Sequence, residues 1–462
     1  MASANYDVLV IGGGNAALCA ALSARQQGAR VLLLECAPRD ERGGNTRHIR
    51  NLRCMHDQPV SMLAGCYSFN EYMTDLQRVT QGQTDEKIAR VVIEGTAAAP
   101  SWLEQFKVRF QAPLGGTLNL GRTNLFYLGG GKALLNSLYL AAERLGVDIR
   151  YDSEVVDLVI ESGQFVCARV ASPGVTSEVA ARAVVVASGG FESNLEWLRE
   201  AWGEAADNFI IRGTRFNRGV VLKALMRAGA ATVGDPMQCH AVAIDARAPR
   251  FDGGIVTRLD CVPFGVVVNS RGQRFYDEGE EFWPKRYAIW GRLVAQQPGQ
   301  RAVVIIDSKA IGRFMPSVFP AVIGNSIAEI AEKFDLPAAE VQQTVADFNR
   351  SVRAGSFDHT TLDDCFTEGL VPPKSHWARR IDTPPYYGYP LRPGITFTYL
   401  GVKVDRTARV QMLDGSPSSN IFAAGEMMAG NVLGQGYIAG IGMAIGTVYG
   451  RIAGAEAARH AA

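Results

Sequence analysis

The apolar residues of this chain fall into two patterns. Tyr6–Ile11 (YDVLVI) is almost continuously apolar, the pattern of a parallel strand covered on both faces rather than of a half-exposed one. Glycines 12–14 then make a turn, and Ala16–Gln27 carries apolar positions at helical spacing before closing at Gly28. Arg30–Leu34 is a second buried strand, ending at Glu35. Together they predict a β–turn–α–β unit within about 30 residues. Further along, an amphipathic helix is expected over Lys132–Arg144 after glycines 129–131. Strand-like pieces follow at 147–159 and 164–171, and another buried strand at Ala183–Ala187. From about residue 236 the pattern changes: aromatic residues and arginines increase, and short strands such as Gly265–Asn269 and Ala302–Ile306 are separated by charged loops. Helices are expected at Ile327–Lys333 and Ala338–Arg353. A last strand at Ile421–Gly425 feeds a glycine-rich terminal helix.

At 462 residues the chain is long enough for two connected domains. With 47 Lys+Arg against 46 Asp+Glu the net charge is +1, so no global field draws it to nucleic acid, and any anion must be held by locally placed arginines. The eight cysteines include no CxxC pair, which argues against a zinc or iron–sulfur site and for reduced thiols in a cytoplasmic protein. The amino terminus lacks the basic segment of a signal peptide. Val432–Gly450 has no charged residue over 19 positions, a length that can span a membrane, but its six glycines and Gln435 favour a buried helix.

The chemistry begins at Gly12-Gly13-Gly14-Asn15-Ala16-Ala17, a GxGxx(G/A) fingerprint. Gly12 permits the turn, Gly14 admits a pyrophosphate close to the backbone, and Ala17 keeps helix and strand close; the phosphates then meet the helix N-terminus. Glu35, 23 residues after Gly12, stands where a carboxylate accepts hydrogen bonds from a ribose diol. A second glycine cluster, Gly43-Gly44-Asn45-Thr46, the turn at Gly130 and Gly131, the strand end Ala187-Ser188-Gly189, and a terminal Gly425-Glu426 exceed what a simple dinucleotide site needs. They argue for FAD. The order of elements implies an α/β fold: a Rossmann-like FAD-binding domain formed by residues 1–235 and 384–462, interrupted by an α+β capping domain at 236–383.

These elements resemble the flavoprotein family of fumarate reductase and succinate dehydrogenase, which also includes 3-ketosteroid dehydrogenases. The resemblance runs through GGGNAA, GGNT, ASGGF (187–191), MQCH (237–240), VVVNSRGQRFYDE (266–278), PPYY (384–387) and AAGE (423–426). It implies that Glu426 bonds the ribityl chain and that a final helix, starting near Gly440 and Ile441, points its N-terminus at the flavin. It also implies noncovalent FAD, because the segment reading GGNT lacks the histidine that carries a covalent flavin. Longer runs such as RNLRCMHD (50–57), IRGTRFN (211–217) and GEMMAGNVLGQGY (425–437) resemble one polycarboxylate-oxidising member of the family. That likeness implies a small polycarboxylate substrate and a separate membrane-bound iron–sulfur protein as electron acceptor.

Removing a proton next to a carboxylate requires that carboxylate to be neutralised, so cationic clamps are expected. His240 corresponds to a substrate-binding histidine of the family; Arg258, Arg215 and Arg392 are further candidates. The family's relay implies Arg286 as base, coupled to Glu278 of RFYDE, with Lys285 and Tyr437 as competitors. Two family ligands are replaced, by the segment containing Thr398 and by that containing Gln435 and Tyr437, which argues against fumarate or succinate. Alternatives on this scaffold are a 3-ketosteroid dehydrogenase, with an apolar pocket and paired tyrosines, and an electron-transfer subunit.

Overall fold

A computed structural model describes residues 6–59, 61–112 and 120–462. The strands Tyr6–Ile11, Val31–Leu34 and Asp148–Arg150 lie parallel on one side of a sheet, and Val175–Val186 and Pro417–Ala423 continue it on the other. Leu9 sits opposite both Leu32 and Val184, and Val184 opposite Ile421, so the runs read as doubly buried are the middle of the sheet. The strand expected at Ala183–Ala187 begins earlier, at Val175, because its polar, exposed first half pairs antiparallel with Gln164–Ser172. Ile11, Leu34, Val186 and Ala423 all end at the same edge. A ligand of an open parallel sheet binds at that edge.

The first helix, Asn15–Gln26, packs along the last, Ile441–Ala461. Gly446, Gly450 and Gly454 stand one turn apart on the last helix. A Cβ on Gly450 would lie 2.5 Å from the Ala16 carbonyl oxygen, and one on Gly454 2.1 Å from that of Ala20. The uncharged glycine-rich stretch is therefore a close helix–helix seam inside the protein. Among the described residues no helix is long and apolar enough to cross a membrane.

The cap is built on one long strand, Tyr386–Thr398, which pairs with Cys239–Asp245, Ala302–Asp307, Val322–Gly324 and Ile210–Ile211. Sheet pairing thus carries the cap beyond the expected 236–383, to residue 398 at one end and to Ile210 at the other. The PPYY segment reads as an extended return to the first domain, but its hydrogen bonds go to cap strands. Strand periodicity divides the cap's faces. Val266, Val268, Val303 and Ile305 meet the helices Ile327–Lys333 and Ala338–Ser351, whereas Val267, Val304 and Ile306 join the main core.

Candidate active site

The carboxyl edge of the parallel sheet and the cap enclose a cleft of about 1300 Å³, open mouth included. Its walls contain Gly12, Gly14, Asn15, Ala16, Glu35, Gly44, Asn45, Thr46, Ala187, Ser188, Gly189, Gly425 and Glu426, so most of the expected cofactor residues converge there. Gly12 is required twice over: its φ is 110°, and a Cβ would stand 2.4 Å from the Ala187 carbonyl oxygen. A Cβ at Gly14 would meet protein atoms only at ordinary contact distance, 3.4 Å from Thr46 Oγ1, which leaves ligand approach as the reason for glycine there. Glu35 is buried at the end of the second strand, where its two oxygens accept the N–H groups of Ala37 and Gly43, each at 3.0 Å. Burial pushes its carboxyl upward against those donors. Oε1 also takes the Cys36 thiol at 3.5 Å, whereas Oε2 keeps a lone pair for a hydroxyl group, so the residue fits a ribose.

Other expected residues support the cleft from behind. Ala17 is fully buried in the first helix, and Gly43 orients Glu35. Gly131 lies under the 44–48 turn, where a Cβ would be 1.8 Å from the Thr46 carbonyl oxygen; its neighbour Gly130 opens the helix Gly130–Arg144. Gly440, at φ 87°, caps the last helix, which begins at Ile441 as expected; the residues of that helix facing the cleft are Gly442, Met443 and Gly446.

Glu192, directly after ASGGF, was not anticipated. Its Oε1 accepts from Asn217 at 2.7 Å and Asn45 at 2.6 Å, and its Oε2 has no partner among the described residues. It lies beside Glu426, whose Oε1 accepts the N–H and hydroxyl of Thr398 at 2.7 and 3.0 Å. Burial raises both carboxyls, and mutual repulsion raises Glu426 further. Burial and mutual repulsion thus favour the protonated form of the pair. Thr398 is spent on Glu426 and is not a substrate ligand.

At the cap end of the cleft stand His240, Tyr437 and Arg212. The His240 ring stacks on Tyr437 with centroids 4.0 Å apart and meets Tyr287 edge-on at 5.3 Å. Its Nε2 is buried without a partner among the described residues. Burial, then Arg212 and Arg258, hold the imidazole neutral by lowering its pKa well below the ordinary value. Arg212 was also missed, although it lies within the run IRGTRFN. It is 5% exposed, and its Nε and Nη1 have no acceptor among the described residues. Burial pushes its pKa down to about 10. An unpaired buried guanidinium is costly unless a ligand supplies the counter-charge.

The expected proton relay is not assembled. Arg286 donates to Glu280 from Nε at 2.7 Å and Nη2 at 2.6 Å, and to the Tyr276 hydroxyl at 2.8 Å. With Gln435 it lines a separate depression outside the cleft. Glu278 instead binds Arg274 and the Val267 N–H. The physical reason is one step of helical rotation: in the turn Trp283–Arg286, continued by Tyr287, Trp283 and Tyr287 point inward and Arg286 outward. Lys285 is paired with Asp75 at 2.6 Å, Arg215 with Glu41 at 2.7 Å, and Arg392 donates to the carbonyls of Gly299 and Gln300. None of these three lines the cleft. Arg258 is buried in an ion pair with Asp260 and stands close to His240.

A glycine cradle, a ribose-binding acid and a long cleft ending in cationic and aromatic groups define an FAD-dependent oxidoreductase. Residues 7–443 match the family described as FAD binding domain, and the chain belongs to that family. It is 27% identical to a probable fumarate reductase of Shewanella frigidimarina, over 99% of this chain and 76% of that one. It is also 27% identical to a 3-oxosteroid 1-dehydrogenase of Mycobacterium tuberculosis, over 67% of this chain and 59% of that one. Among solved structures, the open conformation of a flavocytochrome c3 fumarate reductase superposes with a TM-score of 0.76 at 25% identity, covering 99% of this chain and 79% of that one. FAD is the cofactor that the family match and the cradle indicate.

Proposed function

We propose that this chain is an FAD-dependent dehydrogenase acting on a carbon–carbon single bond of a small polycarboxylate, with tricarballylate oxidised to cis-aconitate as the specific reaction. The observation that supports the anionic substrate most strongly is Arg212, a buried guanidinium with free donors in the wall of the cleft, beside the unpartnered Nε2 of His240. The specific acid rests on the long sequence runs, and so does the separate membrane iron–sulfur protein that would take the electrons.

Bound FAD supplies the acceptor for the hydride. The protein's part is to hold the acid and take the proton. Arg212 neutralises a carboxylate, which raises the acidity of the adjacent C–H. His240, with Arg286 removed from the role, is the proton acceptor. Its imidazole is neutral, and when substrate carboxylates cancel the field of Arg212 and Arg258, its basicity rises at the moment the base is needed. Tyr437 fixes the ring by stacking and takes the Gly442 N–H at 3.1 Å on its hydroxyl. The flavin is held without a covalent bond: His48, the cleft-wall histidine next to the GGNT segment, has its Nε2 engaged by Asp252 at 2.8 Å.

A second reading has one observation in its favour: Tyr287 and Tyr437 meet edge-on with centroids 6.4 Å apart, a tyrosine pair suited to a ketone oxygen. Turnover with a soluble dye acceptor separates the two. Tricarballylate reducing the dye with formation of cis-aconitate supports the polycarboxylate reading; turnover of a 3-ketosteroid with none of tricarballylate would replace it.

A further inference from the structure

Two buried rings pack on His240: Tyr437 stacks on it, and Tyr287 stands perpendicular to both, its centroid 5.3 Å from that of His240 and 6.4 Å from that of Tyr437. Tyr287 is held from behind by a buried carboxylate. Asp260 accepts the Trp283 indole N–H at 2.7 Å on Oδ1 and Arg258 Nη2 at 2.7 Å on Oδ2, and Arg258 Nε lies 2.7 Å from Oδ1. The Arg258 guanidinium in turn lies 4.5 Å from the Tyr287 ring centroid. Trp283 precedes Tyr287 by four residues in one helical turn, so both rings lie on the same face. Asp260 therefore reaches the aromatic partner of His240 by two routes. Its segment is also tied to the strand that carries His240: the Leu259 N–H donates to the Ala243 carbonyl at 3.1 Å, and Arg258 is bridged to Ile244.

Charge acts through the same contacts. Arg212 and Arg258 both face the His240 imidazole and disfavour its protonation. Arg50 repels both of those guanidiniums, and Asp260 acts on all three with the opposite sign. The other titratable groups packed on the imidazole are the hydroxyls of Tyr287 and Tyr437, which burial keeps uncharged. A buried ion pair is a poor device for stability alone, because desolvation offsets much of its attraction and apolar residues of similar volume serve as well. Beside a base it has a further use: it fixes an orientation and sets the local potential. Without Asp260 the imidazole would face guanidiniums lacking their counter-charge and would be a weaker base.

We propose that Asp260 is a positioning residue of this active site: through Arg258 and Trp283 it holds Tyr287 edge-on to His240, and its charge offsets the guanidiniums that face the imidazole. The proposal rests on the reading of His240 as proton acceptor and adds what fixes that ring and supports its basicity. Asp260 itself does not line the cleft. Its loss leaves Arg212 in place to hold a carboxylate, so substrate binding is retained while proton removal slows. Arg258, freed from its counter-ion, repels the imidazolium more strongly, and His240 then takes a proton only at lower pH.

The test uses the full-length, FAD-loaded protein turning over tricarballylate with a soluble dye acceptor across a range of pH. Asp260→Asn should lower kcat about tenfold, leave KM within about threefold, and move the acid limb of the kcat profile down by about one pH unit. Asp260→Glu should restore the limb and part of the rate. Trp283→Phe keeps the charge but removes one route to Tyr287, so kcat should fall about threefold with the limb unmoved. Wild-type kcat and limb in Asp260→Asn, or a loss wholly in KM, overturns the proposal. Should Asp260→Asn lose flavin, an unchanged kcat in Trp283→Phe overturns it equally. His240→Gln separates the two levels. Lost turnover in His240→Gln beside wild-type behaviour of Asp260→Asn rejects the positioning role alone, whereas retained turnover in His240→Gln rejects the proton acceptor itself. A substrate-free readout is the NMR resonance of the His240 ring, assigned by its absence in His240→Gln. Asp260→Asn should displace it, because Tyr287 presents its ring edge-on to His240. An unmoved resonance rejects the positioning role whichever acid is the substrate.

Discussion

The two ends of the cleft are built on opposite principles. The cofactor end is made of glycines, closely packed backbone and a few buried acids whose hydrogen bonds are largely satisfied within the protein. The substrate end is made of arginine, histidine and tyrosine side chains, and there Arg212 and His240 keep polar atoms without partners among the described residues. The first is determined by covalent geometry and close approach, so it is complete without its ligand. The second is electrostatically incomplete and depends on an anion from outside. Substitutions at the cofactor end should therefore cost folding and flavin binding, and those at the substrate end should cost turnover while sparing, or even improving, stability.

The sharpest way to break this contrast is Gly12→Ala. The added methyl would meet the Ala187 carbonyl at 2.4 Å in a backbone conformation that disfavours any side chain. It should cost on the order of 3 kcal/mol and most of the bound FAD, read by thermal denaturation and flavin absorbance. Arg212→Met should behave in the opposite sense. It should lower kcat/KM by roughly 100-fold, yet raise the melting temperature of the substrate-free protein, because an uncompensated buried charge is removed. A lowered melting temperature with normal turnover would place Arg212 among the structural residues.

A smaller effect sharpens the cofactor side. The Glu192–Glu426 pair has its carboxyls raised above the ordinary carboxylate range, chiefly by burial. A group raised in the folded state contributes stability that is full below its unfolded pKa and is lost as pH rises through its folded pKa. Stability of the substrate-free protein should therefore fall as pH rises from the ordinary carboxylate range to that folded value and level off above it, and Glu192→Gln should flatten the slope. Equal slopes in the two proteins would show that the pair does not take up a proton. The smallest effect is expected for Arg286→Ala: with its guanidinium occupied by Glu280 and Tyr276 outside the cleft, turnover should stay within about threefold of wild type.

The same contrast explains what could be read in advance. The cofactor end was legible because its determinants are local: Gly12, Glu35 and the apolar runs between them lie within one βαβ unit, and Gly425 and Glu426 follow directly on a buried strand. The substrate end was not. Arg212 gains its place from the two-residue strand Ile210–Ile211 pairing with Gly394 and Ile395, and nothing in its neighbourhood along the chain announces that its guanidinium will be buried unpaired. Arg286 and Tyr287 show how fine the margin is: adjacent residues in one turn, one directed outward to Glu280 and the other inward to His240. Glu192 required knowing that the strand end at Ala187 and the strand end at Glu426 meet across the sheet. Spacing identified the cofactor; only the assembled cap identifies the charge balance that selects a substrate.

The central claim is that a polycarboxylate reduces the flavin in this cleft. Anaerobic addition of tricarballylate to the FAD-loaded protein measures it directly. The account predicts loss of the oxidised-flavin absorbance with one equivalent of cis-aconitate per flavin reduced. An unbleached flavin in the presence of tricarballylate, bleached instead by a 3-ketosteroid, would contradict it.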